Sequence, residues 1–138
     1  MKKDLLALIN DNNSRAKGIQ INVPSAEYVE KILLNSTIVP YFVSGELEGF
    51  ISYYNNDPNK EVAFLTLILI SDSYRGKGLG KLLLETSIKD LKTKGFLKYG
   101  LEVLKENLRA INLYEMMGFV KIEDRGDIWF MEKNLTNK

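Results

Sequence analysis

An apolar run from Val62 to Ile70 leads into a glycine-rich stretch and then a helical pattern, and this succession constrains the fold most strongly. A single threonine interrupts the run, which is typical of a central strand covered on both faces. After the stretch Ser71–Gly80, leucines at helical spacing between Leu79 and Leu91 predict a helix. A strand over Tyr99–Leu104 completes a parallel strand–helix–strand crossover. The chain is therefore expected to be an α/β protein with a mixed central sheet flanked by helices.

Further helices and strands are predicted on both sides of that crossover. Residues 3–11 look like a short helix, residues 18–23 read as either a strand or a loop, and Ser25 can cap a helix that ends near Asn35. No repeat or linker divides the chain, so one domain over residues 1–138 is expected. The remaining predicted elements are a hairpin of Ile38–Val43 with Gly49–Tyr54, a helix over Leu108–Met117 ended by Gly118, and a hairpin of Phe119–Glu123 with Ile128–Glu132. The predicted apolar stripe of the helix after the glycine-rich stretch is Leu79, Leu82, Leu83, Leu84, Ile88 and Leu91, and Gly95 is expected to end this helix.

Composition narrows the chemistry, because the 138 residues include no His and no Cys. A thiolate nucleophile, a His general base and zinc held by Cys or His are all excluded, and no metal site is expected. An enzyme of this composition moves protons through Asp, Glu, Tyr, Lys or water. The difficult part of its chemistry is then expected to come from a bound cofactor.

The charge distribution argues against a nucleic-acid partner, because the formal net charge is only +1. Residues 1–70 carry six basic against eight acidic side chains, whereas residues 71–138 carry thirteen against ten. A local anion site in the second half fits this asymmetry. The longest apolar run is far short of the ~20 residues that span a bilayer, and no signal sequence is recognised at the start. We therefore expect no membrane partner and a cytoplasmic location.

The glycine-rich stretch Arg75-Gly76-Lys77-Gly78-Leu79-Gly80 is suited to binding a phosphate. Glycines let backbone N–H groups converge on an anion without Cβ atoms in the way, and a helix N-terminus adds partial positive charge. Arg75, Lys77 and Lys81 add cationic side chains. A Walker A loop would need glycine at Arg75 and Ser or Thr at Leu82, and a dinucleotide-binding loop would need glycine at Lys81 or Leu83. Both of those phosphate-binding motifs are therefore excluded.

A second group of polar and small residues falls on one face of the predicted helix over Leu108–Met117. At ~100° per residue, Asn107, Ala110 and Tyr114 lie within roughly 60° of one another. A polar amide, a small side chain and a phenol thus share one surface. Asn107 can serve equally as an N-cap, and Tyr114 can equally be an aromatic core residue.

Taken together, the two motifs resemble the GNAT superfamily of N-acetyltransferases. The family signature after a central strand is Arg/Gln-x-x-Gly-x-Gly/Ala, which the segment from Arg75 to Gly80 matches at every position. In the family an Asn, an Ala, a Tyr and then Gly-Phe follow the next strand, and Asn107 to Phe119 reproduces that order. Glu48-Gly49-Phe50 also looks like the family hairpin. The resemblance runs from about Val39 to Phe119.

The resemblance implies where acetyl-CoA, the expected co-substrate, binds. Two parallel central strands splay, the pyrophosphate lies on the N–H groups of Gly76 to Lys81, and the pantetheine follows exposed backbone at Ile68 to Ile70. An amine attacks the thioester directly, an N–H near Ile70 stabilises the oxyanion, and Tyr114 is the catalytic residue that protonates the thiolate. The expected cofactor-binding residues are Ile68, Leu69, Ile70, Arg75, Gly76, Lys77, Gly78, Leu79, Gly80, Lys81, Asn107, Ala110 and Tyr114.

Two parts of the sequence depart from the family pattern. Many members carry a Glu part-way along the central strand, but here Glu61 precedes it, so a water held by Thr66 or Ser52 is an equal candidate for the general base. A helix rather than a strand comes first. The acceptor is expected to be the primary amine of a small molecule, and the protein a monomer or homodimer. The alternatives are a non-catalytic acyl-CoA-binding regulatory module and a magnesium-dependent nucleotide-binding module.

Overall fold

A six-stranded mixed sheet with helices packed against it forms the centre of the computed structural model, which describes residues 4, 5, 7, 8 and 26–136. Residues 4, 5, 7 and 8 are helical, in agreement with the short helix predicted there. The strand or loop expected over residues 18–23 and the Ser25 cap lie outside the described residues. The elements are α1 (Ala26–Asn35), β1 (Thr37–Val43), β2 (Glu46–Tyr54), β3 (Val62–Ile70), a 3-10 turn (Asp72–Tyr74), α2 (Leu79–Thr93), β4 (Lys98–Leu104), α3 (Leu108–Met116), β5 (Val120–Arg125) and β6 (Ile128–Asn134).

The strand order is β1-β2-β3-β4-β6-β5, and among the described strands only the central pair β3 and β4 is parallel. The two hairpins predicted from the sequence form the two sides of the sheet, β1 with β2 and β5 with β6. The strand–helix–strand crossover is β3-α2-β4, as predicted. The expected α/β class with a mixed central sheet is therefore confirmed.

The parallel pair at the centre separates along its length. β3 pairs with β4 only from Val62 to Phe64, opposite Lys98 to Gly100. Beyond these positions β3 remains paired with β2 as far as Ile70, and β4 remains paired with β6 as far as Leu104. A gap thus opens between the carboxyl ends of the two strands, and the expected splay is confirmed.

Helix α2 packs along the sheet through an apolar stripe, most of which the sequence predicts. Its buried residues are Leu79, Leu83, Leu84, Ser87, Ile88 and Leu91. Leu82 was wrongly included, because 48% of its surface is exposed. Around the helix axis, Leu82 lies about 100° from Leu83, which places it outside the buried stripe and on the side that faces solvent. The helix ends as predicted, with Gly95 in the left-handed region at φ +87°.

Two hydrophobic clusters lie on opposite faces of β3. Ile68 and Ile70 belong to the cluster that contains α2 and α3, whereas Leu67 and Leu69 pack with Leu5 and other residues of the second cluster. This alternation follows from the two-residue period of a strand and confirms that β3 is covered on both faces. Within the described ranges, no helix has both the length and the hydropathy needed to cross a membrane.

Candidate active site

The gap between β3 and β4 is bordered by the two segments that the sequence singles out. The glycine-rich stretch follows β3 at Ile70, and the start of α3 follows β4 at Leu104. Among the described residues, no strand pairs with the β4 side of β3 beyond Phe64. The backbone of Ile68 and Leu69 therefore borders the gap with hydrogen-bonding groups that an extended ligand could reach.

The loop between β3 and α2 is fixed to the sheet at its first residue. The Ser71 backbone N–H donates to the Glu48 carbonyl oxygen at 2.8 Å, and the Ser71 hydroxyl donates to Glu48 Oε1 at 2.7 Å. Next to this contact, a Cβ atom on Gly49 would lie 3.0 Å from Leu79 Cδ2 and 3.1 Å from a backbone oxygen of β3. A glycine at this position therefore lets the first residue of α2 approach the sheet closely.

Two glycines with positive φ angles shape the rest of the loop. Gly76 has φ +74° and Gly78 has φ +83°, and Gly78 is the N-cap of α2 with no side-chain hydrogen bond to the helix. No atom lies within 4 Å of an ideal Cβ on Gly78, so it is the backbone conformation that favours glycine there. The first N–H groups of α2 are left without a side-chain cap, which is the arrangement that binds anions at helix N-termini.

A cavity of about 290 Å³ lies between this loop and α3. It brings together seven of the predicted cofactor-binding residues, which are Ile70, Arg75, Gly76, Gly78, Leu79, Gly80 and Lys81. Four further residues complete its wall, namely Tyr74, Arg109, Leu113 and Met116. The cavity therefore combines an apolar side with cationic groups and a backbone surface rich in N–H donors, as a ligand with a phosphate and an apolar arm requires.

The cations around the loop are held in different ways. Arg75 forms an ion pair with Asp72 at 2.5 Å, and its side chain is only 12% exposed. The ammonium of Lys77 lies 5.4 Å from the centroid of the Tyr74 ring, where a cation–π interaction holds it near the loop. Lys81 and Arg109 are exposed, and neither forms an ion pair with any described residue. These two side chains are the ones best placed to meet an incoming polyanion.

Arg109 is a cavity residue that sequence reasoning missed. A Cβ atom on Gly76 would lie 3.8 Å from Arg109 Nη2, so the guanidinium reaches from α3 across to the loop. Arg109, Leu113 and Met116 follow the i, i+4, i+7 spacing of one helix face. This spacing is visible in the sequence and is the signal that could identify Arg109.

The predicted Asn107, Ala110 and Tyr114 face is turned away from this cavity. Asn107 is the N-cap of α3, and its Oδ1 accepts a hydrogen bond from the Ala110 backbone N–H at 3.2 Å. Ala110 and Tyr114 are buried in the main core cluster. These three residues, together with Ile68, Leu69 and Lys77, are the predicted site residues that do not line the cavity.

Tyr114 is held by aromatic packing rather than by a hydrogen bond. Its ring meets that of Phe119 edge-on with centroids 5.9 Å apart, and Phe119 in turn lies 5.5 Å from Tyr99. Only 2% of Tyr114 is exposed, and no hydrogen bond to its hydroxyl is formed within the described part of the chain. Burial raises the pKa of the Tyr114 hydroxyl above its ordinary value, so the phenol is protonated at neutral pH and well above it.

The general-base candidates lie apart from the cavity. Glu61 is exposed and precedes β3, at the end of the strand opposite the glycine-rich loop. Ser52 is fully buried, and its hydroxyl lies 2.6 Å from Thr66 Oγ1, which itself donates to the Ser52 carbonyl oxygen at 2.9 Å. The register of β2 against β3 shifts at this point, between Ser52 and Tyr53. The two hydroxyls therefore satisfy each other within the sheet.

Comparisons with known proteins agree with this arrangement. Residues 9–119 match the model of the acetyltransferase (GNAT) family. The spermine/spermidine N(1)-acetyltransferase of Bacillus subtilis (strain 168) is 28% identical over 137 residues, covering 86% of this chain and 88% of the relative. The [ribosomal protein bS18]-alanine N-acetyltransferase of Escherichia coli (strain K12) is 33% identical over 89 residues, covering 56% and 60% of the two chains.

Solved structures share the fold. The ribosomal-protein-S18-alanine N-acetyltransferase from Escherichia coli superposes with a TM-score of 0.83 at 20% identity, covering 99% of this chain and 89% of the other. The PaiA N-acetyltransferase from Thermoplasma acidophilum, solved in complex with coenzyme A, has a TM-score of 0.75 at 24% identity, covering 96% and 92%. The match to the family model spans most of the chain and includes both the splayed strands and the glycine-rich loop. The chain belongs to the acetyltransferase (GNAT) family, whose members use acetyl-CoA as co-substrate.

Proposed function

We propose that the protein transfers the acetyl group of acetyl-CoA directly to a primary amine of a small molecule, as a single N-acetyltransferase domain over residues 1–138. The observation that carries this proposal is the gap between β3 and β4, which ends at the glycine-rich loop. Two exposed cations, Lys81 of α2 and Arg109 of α3, lie beside that loop. The gap can hold an extended apolar arm, and the loop with its neighbouring cations can bind the pyrophosphate attached to that arm. Family membership supplies the acetyl donor.

In the proposed complex the pyrophosphate lies on the N–H groups of Gly76 to Lys81, close to the Arg109 guanidinium. The pantetheine amides pair with the open backbone edge of Ile68–Ile70, in the manner of an added strand. Leu113 and Met116 form the apolar wall beside it. Lys77 and Arg75 act mainly by shaping the loop, since each is engaged with a neighbouring side chain.

The proposed reaction is direct attack by the amine nitrogen on the thioester carbonyl carbon. The C–N bond forms as the carbonyl oxygen gains negative charge, which a backbone N–H near Ile70 stabilises, and the C–S bond then breaks. The departing thiolate takes its proton from the Tyr114 hydroxyl, and the attacking nitrogen releases its extra proton to water, from which the phenol is protonated again. Attack requires an unprotonated amine, so the rate is expected to rise with pH towards the pKa of the acceptor.

Two observations favour a small cationic acceptor over a protein. The Bacillus subtilis relative named for spermine and spermidine aligns over 86% of the chain, whereas the Escherichia coli relative named for a ribosomal protein aligns over 56%. Residues 1–70 also carry more acidic than basic side chains, six basic against eight acidic. We therefore propose polyamines as the first class of amine to test.

An acceptor screen monitored by thiol release tests the proposal. The panel contains spermidine, an amino sugar, free amino acids, and peptides with an N-terminal alanine or an internal lysine. Calorimetric titration with acetyl-CoA runs in parallel. Amine-dependent thiol release with a small molecule is the expected result. Binding of acetyl-CoA without thiol release across the whole panel would instead identify a non-catalytic acyl-CoA-binding module.

A further inference from the structure

A second groove, of about 340 Å³, lies at the far end of α2 from the glycine-rich loop. Its charged lining consists of Glu85, Lys89, Lys92 and Lys133. The first three lie on α2, and Lys133 comes from β6. Lys92 is separated from Gly78 by roughly 20 Å along the helix axis, so this groove is separate from the proposed acetyl-CoA site.

Three lysines and a single carboxylate, Glu85, line this groove. Within residues 26–136, none of Lys89, Lys92 and Lys133 forms an ion pair or a side-chain hydrogen bond. Lys94, on the same helix but outside the groove, behaves differently and pairs with Asp90 at 3.2 Å. The described residues therefore neutralise none of these three ammonium groups by an ion pair.

Lys133 lies against the Gly118 backbone at the edge of the groove. A Cβ atom on Gly118 would lie 2.6 Å from Lys133 Nζ, so the end of the lysine side chain passes close to this glycine. Partial burial lowers the pKa of Lys133, and the charge of Lys92 lowers it further. The charged form of Lys133 is thus less favoured here than in water, and an anion in the groove would favour it.

We propose that this groove is a binding site for a phosphate group, either inorganic phosphate or a phosphomonoester. Three ammonium groups and the Glu85 carboxylate leave a net charge of +2, which balances a phosphate dianion. Thr93 adds a hydroxyl donor, and Ile88 and Met117 supply an apolar surface for the carbon part of an ester. The proposal does not depend on the acetyltransferase reaction, since the two sites share no residue.

Calorimetric titration with inorganic phosphate at constant ionic strength tests the site. Saturating coenzyme A is present to occupy the glycine-rich loop, and the titration is repeated without it. The variants are the double substitution Lys92→Gln with Lys133→Gln and the matched control Lys94→Gln. We expect phosphate affinity to fall at least about tenfold in the double variant and to stay unchanged in the control. Equal affinity in all three proteins, or no phosphate binding by the wild type, would overturn the proposal.

Two further measurements keep the result interpretable. The double variant is expected to melt at or above the wild-type temperature, because two uncompensated charges are removed, so lost affinity cannot be ascribed to unfolding. In the wild type, phosphate should raise the pKa of Lys133 followed by side-chain NMR, and an unchanged pKa would contradict the assignment. Phenyl phosphate distinguishes the sources: tighter binding than inorganic phosphate indicates a phosphomonoester, and equal binding indicates the free ion.

Discussion

Asn107 Oδ1 accepts a hydrogen bond from the Ala110 backbone N–H at 3.2 Å, so the first residue of the family motif in α3 is also the N-cap of that helix. Capping uses only the oxygen of the amide. The NH₂ group remains able to donate a hydrogen bond to a ligand. The two roles of Asn107 can therefore be separated by substitution.

Asn107→Asp is expected to keep the cap and lose the donor, whereas Asn107→Ala loses both. Denaturant unfolding should show Asn107→Ala less stable by about 1 kcal/mol and Asn107→Asp close to the wild type. Acetyl-CoA affinity should fall in both variants, because both lose the NH₂ donor. In Asn107→Asp the new carboxylate also repels the polyanion. An Asp variant with wild-type affinity would show that Asn107 serves the helix alone.

Gly78→Ala is expected to abolish most acetyl-CoA binding while the domain stays folded. The backbone there has φ +83°, and α2 begins at the next residue, so an added Cβ disturbs the N–H groups proposed to hold the pyrophosphate. Gly126→Ala is the matched control, because Gly126 has φ +81° and equally open surroundings but lies in the β5–β6 turn. Both variants should lose similar stability, about 1 kcal/mol, and only Gly78→Ala should lose binding. Equal affinities by calorimetry would remove the loop from the site.

Arg109→Gln should weaken acetyl-CoA binding by about tenfold at low salt, and the difference from the wild type should shrink as sodium chloride is added. The reason is that Arg109 is exposed beside Gly76 and acts as a charge near a polyanion. Arg125→Gln, which removes a guanidinium paired with Glu102 and Glu123 in another region, should leave affinity unchanged. A loss at Arg109 that is independent of ionic strength would argue for a role in packing.

Local features of the fold are predictable from the sequence because each one has its own physical cause. The apolar run of β3, which only Thr66 interrupts, requires cover on both faces, and Gly95 and Gly118 end their helices with positive φ angles. Asn107 is recognisable as a cap from its position before an apolar stripe. The glycine-rich loop is recognisable because few other arrangements need glycine at both 76 and 78 between a strand and a helix.

Relations between distant elements are not predictable in the same way. The Arg109 contact with the loop depends on how α3 is rotated about its own axis, which packing of Ala110 and Tyr114 into the core determines. The pairing of Arg75 with Asp72 depends on the 3-10 turn. From the sequence, all the cations near the loop look equivalent. The structure shows that Arg75 and Lys77 contact neighbouring side chains, whereas Lys81 and Arg109 are exposed.

Tyr114→Phe is expected to lower turnover about 100-fold or more while changing acetyl-CoA affinity little. The substitution keeps the ring, so the edge-on contact with Phe119 at 5.9 Å should survive. No hydrogen bond within the described residues is lost, and the unfolding free energy should therefore stay within about 1 kcal/mol of the wild type. What disappears is a protonated hydroxyl, which we propose donates to the departing sulfur.

Tyr99→Phe provides the control for this experiment, because Tyr99 is also fully buried in the same aromatic cluster but donates its hydroxyl to Ser87 Oγ at 3.0 Å. Removing that hydroxyl should cost about 1 kcal/mol of stability and leave turnover unchanged. Tyr114→Phe is thus expected to lower turnover with little change in stability, and Tyr99→Phe to lower stability with no change in turnover. Turnover is measured at saturating acceptor, with acetyl-CoA affinity determined separately by calorimetry. If Tyr114→Phe retains turnover within about twofold of the wild type, its hydroxyl takes no part in the chemistry, and the residue acts through its ring in the core.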